Sequence, residues 1–344
     1  MCHLKYPCMR YQFHHLFMHP WNFMFQTFNL TKFFPIFLFG VCTATSVSAA
    51  PFAYITNQGA NSVSILDLAS NRVIQTLAVG KGPAGVVIDT KNHRVYISNV
   101  ESNSVSVIDT LKRTVIDEYK FSIAPVGLAL TKDGSKLFVA AWYSDIIIAL
   151  DIKNPEKRVF INMGKAPASM VLNREGTHLF VANRDSNEVG VIDTSTNQII
   201  TKFGVGNHPF GMALSGNGKV LYVVNVYSNN VSVIDINSYA ITAQIRVGEH
   251  PYCVASNQDG SRIYVSNTGE DTISIIDTSI QKVIETIEVN GSPEGVSYDG
   301  IHDRVYVASW MDNAVTVIDA RTNSRLPSIP TEAQSRALGQ FIDQ

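Results

Sequence analysis

Cysteine is scarce in this chain and badly distributed for cross-linking: of Cys2, Cys8, Cys42 and Cys253, three fall within the first fifty residues. If that segment is removed, one thiol remains, no intramolecular disulfide can form, and stability must come from packing. An excess of one charge is also lacking. With 27 Lys and Arg against 29 Asp and Glu the formal net charge is −2, which excludes a strongly basic nucleic-acid protein. Charged residues are only 16% of the chain and hydrophobic ones 45%, the reverse of a disordered composition. No sustained 3.6-residue periodicity marks long helices. Residues 51–344 contain no Gly-x-Ser-x-Gly elbow, no His-Glu-x-x-His, no Cys-x-x-Cys-His and no phosphate loop, so no motif calls for a catalytic residue or a cofactor.

The first fifty residues differ from the rest. They hold Lys5, Arg10 and Lys32 but no Asp or Glu, and their apolar run, 33–42, is ten residues long. A membrane-spanning helix needs about 20. Lys32 before that run, and Ser46-Val47-Ser48-Ala49-Ala50 after it, fit the charged, apolar and cleavage regions of a secretory signal. Residues 1–49 are therefore expected to be a targeting segment cut after Ala49 or Ala50, with Met24 as the true start. An uncleaved anchor, or lipidation at Cys42, is the alternative. The mature protein is expected in the periplasm or at the cell surface, without a transmembrane span.

What is present is a repeat. Aspartate recurs at Asp67, Asp109, Asp151, Asp193, Asp235, Asp277 and Asp319, each step being 42 residues. An aromatic keeps the same step at Tyr54, Tyr96, Phe138, Phe180, Tyr222, Tyr264 and Tyr306, as does proline from Pro83 to Pro293. Within a unit, four short Val/Ile/Tyr-rich runs are separated by turn residues such as Gly216-Asn217-Gly218. The second run is apolar almost throughout, so both faces of its sheet are covered, as in a propeller blade. The repeated Asp suits an Asx-turn. Asn57, Asn99, Asn183, Asn225 and Asn267 end the second run, where left-handed backbone is expected.

Closure of the ring can be read as well. Residues 53–79 supply three strands with no innermost one before them. The leftover run 337–342 has the size of that strand. The expected fold is all-β, a seven-bladed propeller of four-stranded antiparallel blades over 51–344, closed by 337–342 pairing with 53–79. Its register is open by two residues at Gly339. Closure protects edges that would otherwise template aggregation.

Leu221-Tyr222-Val223-Val224-Asn225, Val231-Ser232-Val233-Ile234-Asp235 and Val205-Gly206-Asn207-His208-Pro209-Phe210-Gly211 resemble the YVTN-repeat β-propellers, the YncE-like exported bacterial group. The resemblance covers 52–342. It implies the fold and an envelope scaffold or binding role; single-stranded-DNA binding is attached to some relatives, and no shared catalytic motif comes with it.

Two loop sets should share one face, and there the repeat breaks. Trp142-Tyr143 and Trp310-Met311 replace polar loops, and Tyr227 and Arg184 are added. His208 and His250 precede proline in adjacent units, with Phe210 and Tyr252 after it, and Arg336 stands near the tail. These residues are the expected ligand site. His208 and His250 are also weighed as a metal pair, although a metal normally wants three or four ligands. The face carries four cations, Lys81, Lys165, Arg184 and Arg336, against ten acids, which repels a phosphate backbone.

The favoured reading is a non-enzymatic, monomeric module binding an envelope protein or small ligand. A lactonase-like or metal-dependent hydrolase at the channel mouth is the second reading. Nucleic-acid binding by the opposite, basic rim (Lys112-Arg113, Lys153, Lys157-Arg158) is the third.

Overall fold

The computed structural model describes residues 51–343; the expected targeting segment and Met24 lie outside these residues. These residues form seven four-stranded antiparallel sheets. Blades 2 to 7 span 83–120, 125–162, 167–204, 209–246, 251–288 and 293–330, each beginning with its innermost strand at a proline and ending with its outermost. Among the described residues there is no α-helix, and no helix long and apolar enough to cross a membrane.

The repeat explains the layering. Second strands such as Arg94–Asn99 are buried over all but their first residue, because both faces pack on neighbouring blades. Outermost strands such as Arg72–Ala78 alternate exposed and half-buried residues, having one sheet edge in water. All seven recurring aromatics are buried between blades. Interblade bonds supplement that packing. Ser98 Oγ donates to the Val126 carbonyl at 2.8 Å and Ser266 Oγ to that of Glu294 at 2.8 Å. The last joint is tied by Arg304 to the Leu68 carbonyl and by the Tyr306 hydroxyl to Asn71 Oδ1 at 2.7 Å.

Each recurring Asp accepts backbone N–H bonds from the turn that follows, as at Asp193, where Ser195 and Thr196 donate at 2.9 and 2.8 Å. The Asn expectation needs correction. Asn57 and Asn183 have φ of −109° and −94°, which is extended backbone. Their side chains instead bridge the hairpin: Asn57 donates to Ser62 and Ser64, and Asn99 to Ser104 and Ser106. The left-handed residues lie a few positions on, at Asn61, Asn103, Asn187 and Asn229.

Closure follows the expected order, with the C-terminal strand lying against Phe52–Asn57 in the first sheet. Regular pairing is shorter than 337–342, however. Among the described residues of the tail, only Ile342 and Asp343 form a ladder, opposite Ala53 and Phe52. Before them, Ser335 bridges Asn57 and Leu338 bridges Gly85 of blade 2. Ser335 therefore takes the proline place in register. The two extra residues fall between it and Phe341, where Ala337 and Gly339 have φ of 56° and 110° and interrupt the ladder. Ala337, Phe341 and Ile342 are still buried, so the tail closes the ring chiefly by packing.

Candidate functional site

The residue after each proline place points the way to the mouth of the channel. Around the ring it is Ala84, Val126, Ala168, Phe210, Tyr252, Glu294 and, on the tail, Arg336. Three small or aliphatic side chains are thus followed by four large ones, and the mouth is lopsided. Trp142, from the blade 3 loop, leans over it. Its ring centroid is 6.0 Å from that of Phe210, which stacks on Tyr252 at 4.1 Å. The guanidinium carbons of Arg184 and Arg336 lie 5.4 and 5.9 Å from the Trp142 ring, within cation–π range.

Arg336 organises the polar side of the mouth. Its Nη2 donates to Glu294 Oε1 at 3.0 Å, its Nε to Glu294 Oε2, and it reaches the Tyr252 hydroxyl at 3.4 Å and Gln58 Oε1 at 3.3 Å. Trp310 Nε1 donates to the same Gln58 oxygen at 3.0 Å. Burial pushes the Glu294 carboxyl above the ordinary range, and the Arg336 charge opposes that. Burial also raises the Tyr252 hydroxyl and the Cys253 thiol. A raised thiol is the opposite of what a nucleophile needs.

A second cluster flanks the first. His208 stacks on Tyr227 at 4.2 Å, and His250 meets the same ring edge-on at 6.0 Å. Each imidazole is engaged by Tyr227 rather than by the other. Among the described residues no group of three or more His, Cys, Asp or Glu is spaced to hold a metal ion. His208 Nδ1 lies 3.6 Å from Asp185, itself paired with Arg184 at 2.9 Å. Burial, reinforced by Arg184, lowers the His208 pKa from its usual value, against the pull of Asp185. Both histidines have left-handed backbone, φ 59° and 46°, where blade 2 has Gly82 at 63°. Their N–H groups donate to Asn187 and Asn229 Oδ1 at 2.8 and 3.0 Å.

The structure therefore gathers Trp142, Arg184, Phe210, Tyr252, Arg336 and, through Gln58, Trp310 at the mouth. His208, Tyr227 and His250 stand beside them, joined through the Arg184–Asp185 pair. Neither tryptophan stands clear of the surface, both being half-buried. The exposed apolar groups of this face are their neighbours Tyr143 (81%) and Met311 (68%), with Tyr227 (63%). Sequence reasoning passed over Glu294 and Gln58 as site residues. For Glu294 the signal was present, since it precedes Arg336 by one 42-residue period.

A family model described as a YNCE-like beta-propeller matches residues 170–262. No curated protein matches the chain. Among solved structures, hydrazine synthase of Kuenenia stuttgartiensis is similar at 20% identity and a TM-score of 0.69, covering 77% of this chain and 91% of that one. A functionally unknown protein from Desulfotomaculum acetoxidans aligns at 11% identity and 0.72, covering 84% of this chain and 100% of its own. Streptogramin B lyase aligns at 17% and 0.64, covering 75% and 90%. At such identities these likenesses show the fold alone, and the printed functions differ from one neighbour to the next.

Proposed function

We propose that this chain, a seven-bladed YncE-like β-propeller, is an exported, non-enzymatic module that holds an envelope protein or ligand against its aromatic loop face. The observation that carries the reading is convergence. Residues that break the repeat in six different units meet at one end of the ring. Loops over a rigid scaffold are where a propeller can vary without loss of fold. Tyr143, Tyr227 and Met311 supply exposed contact area, and clustered aromatics of this kind anchor interfaces.

The charge of the face narrows the partner. Of its four cations, Arg184 and Arg336 are already paired with Asp185 and Glu294. The acids in excess favour a partner with a basic surface and oppose a phosphate backbone. Export is part of the proposal and rests on the composition of residues 1–50.

The test is a double variant, Tyr143→Ala with Tyr227→Ala. Both side chains are exposed, so folding is unaffected. Affinity for partners captured from an envelope extract should fall at least tenfold, and the wild-type interaction should weaken as salt rises. Unchanged capture by the variant would contradict the reading. Cell fractionation that leaves the protein in the cytoplasm would contradict export.

A further inference from the structure

Behind the mouth, the channel itself forms a cavity of about 290 Å³. Leu128, Leu130, Met170, Leu172, Met212 and Leu214 contribute to its wall, and among the described residues no charged one lines it. Toward the loop face it narrows to about 30 Å³ between Val126, Ala168, Phe210, Cys253 and Leu338. Above that constriction lie the Phe210–Tyr252 stack and the Arg336–Glu294 pair, with Phe210 and Glu294 buried. The cavity is therefore a well closed at the aromatic face. It lies among the later residues of the inner strands, and its far end is formed by Leu130, Leu172 and Leu214, which are half-buried rather than buried.

We propose that this well binds a small, uncharged, largely apolar molecule that enters from the face opposite the aromatic loops. A charged group inside would lose its hydration with no counter-charge to replace it. Among the described lining residues, Ser169, Ser256 and Gln340 offer side-chain hydrogen bonds, and the Cys253 thiol a weak one, enough to orient one polar substituent. The volume is at the lower end of small-molecule sites. Met170 and Met212 give the wall a shape that adapts to its occupant. The well shares neither an opening nor exposed residues with the loop face, so it stands or falls separately from the partner-binding reading.

The experiment is a fluorescence titration of the full chain with N-phenyl-naphthylamine, an uncharged apolar probe whose emission rises out of water. One saturable site is expected. Met212→Trp, which fills the well, and Leu214→Arg, which puts a charge at its outer end, should each weaken binding at least tenfold. Tyr227→Ala on the other face should change it less than twofold. Anilinonaphthalene sulfonate, an anionic analogue, should bind at least tenfold more weakly, and equal binding would refute the preference for uncharged molecules. Absence of saturable binding to the wild type, or undiminished binding in the variants, would overturn the proposal. Should Met212→Trp fail to fold, xenon soaked into wild-type crystals reads the same space: density in the well supports the assignment and its absence refutes it.

Discussion

Arg336 and Glu294 stand one repeat apart, at equivalent places in consecutive units, and meet in a two-bond ion pair, with Nη2 3.0 Å from Oε1. The pair joins the closing tail to the last complete blade at the rim of the channel. It thus couples closure of the ring to the shape of the candidate site.

Breaking that pair leaves a buried carboxylate without its partner. Arg336→Ala is expected to cost about 3 kcal/mol of stability, the usual scale for orphaning a buried charge. Burial raises Glu294, and loss of Arg336 raises it further. An acid with a raised folded pKa contributes less stability as pH climbs from the unfolded carboxylate value through the folded one. Denaturation midpoints should therefore differ more between wild type and variant at about pH 7 than near the ordinary carboxylate pKa of about 4. A gap independent of pH would contradict this account of the pair.

His208 and His250 test whether stability and binding separate. Both sit at φ values that suit glycine, so His208→Gly and His250→Gly should each be neutral to stabilising, by up to about 1 kcal/mol. The same changes remove the rings that pack on Tyr227 and should weaken partner binding. Variants that lose stability while keeping full affinity would show that the histidines serve the fold.

The turn aspartates predict an acid limit. Hydrogen bonds from Thr131 and Ser135 hold Asp133 at about 2, and Arg321 holds Asp319 at about 2. Hydrogen bonds from Ser195 and Thr196 lower Asp193 as well. Groups with depressed folded pKa values add stability above the unfolded value, and it is lost as pH falls through the folded one. Melting temperature should drop steeply between about pH 4 and pH 2, and less steeply in the double variant Asp193→Asn, Asp319→Asn. Parallel curves would refute the role given to these turns.

Closure rests on the tail. Phe341 is fully buried against the first and last blades. Phe341→Ala should cost about 3–5 kcal/mol, as for a large aromatic removed from a core, measured by denaturant midpoint. A cost below about 1 kcal/mol, the scale of an ordinary surface change, would mean that the ring does not depend on its tail.

Seven blades were legible because a 42-residue step, without insertion, repeats one pattern of burial, and the repeated Asp carries its turn chemistry in its own neighbourhood. The asparagines were misread for a related reason. Their bonds run to hydroxyls five and seven residues on, across a hairpin whose register had first to be known. The tail followed the period as far as Arg336 and then left it, since left-handed Ala337 and Gly339 belong to no repeat. At the site, composition named the aromatic residues but could not say which would be covered. Trp142 is shielded because Phe210 and two guanidinium groups lean on it from other units, and that arrangement exists only once the ring has closed.

The central claim is that the aromatic loop face receives the partner. Photo-crosslinking in living cells tests it most directly, with a photoreactive residue placed in turn at Tyr143, at Tyr227 and at Leu111, which is 72% exposed in a turn of the opposite face. The account predicts adducts of one common mass from positions 143 and 227 and none from 111. Adducts from 111 alone, or none from either tyrosine position, would contradict it.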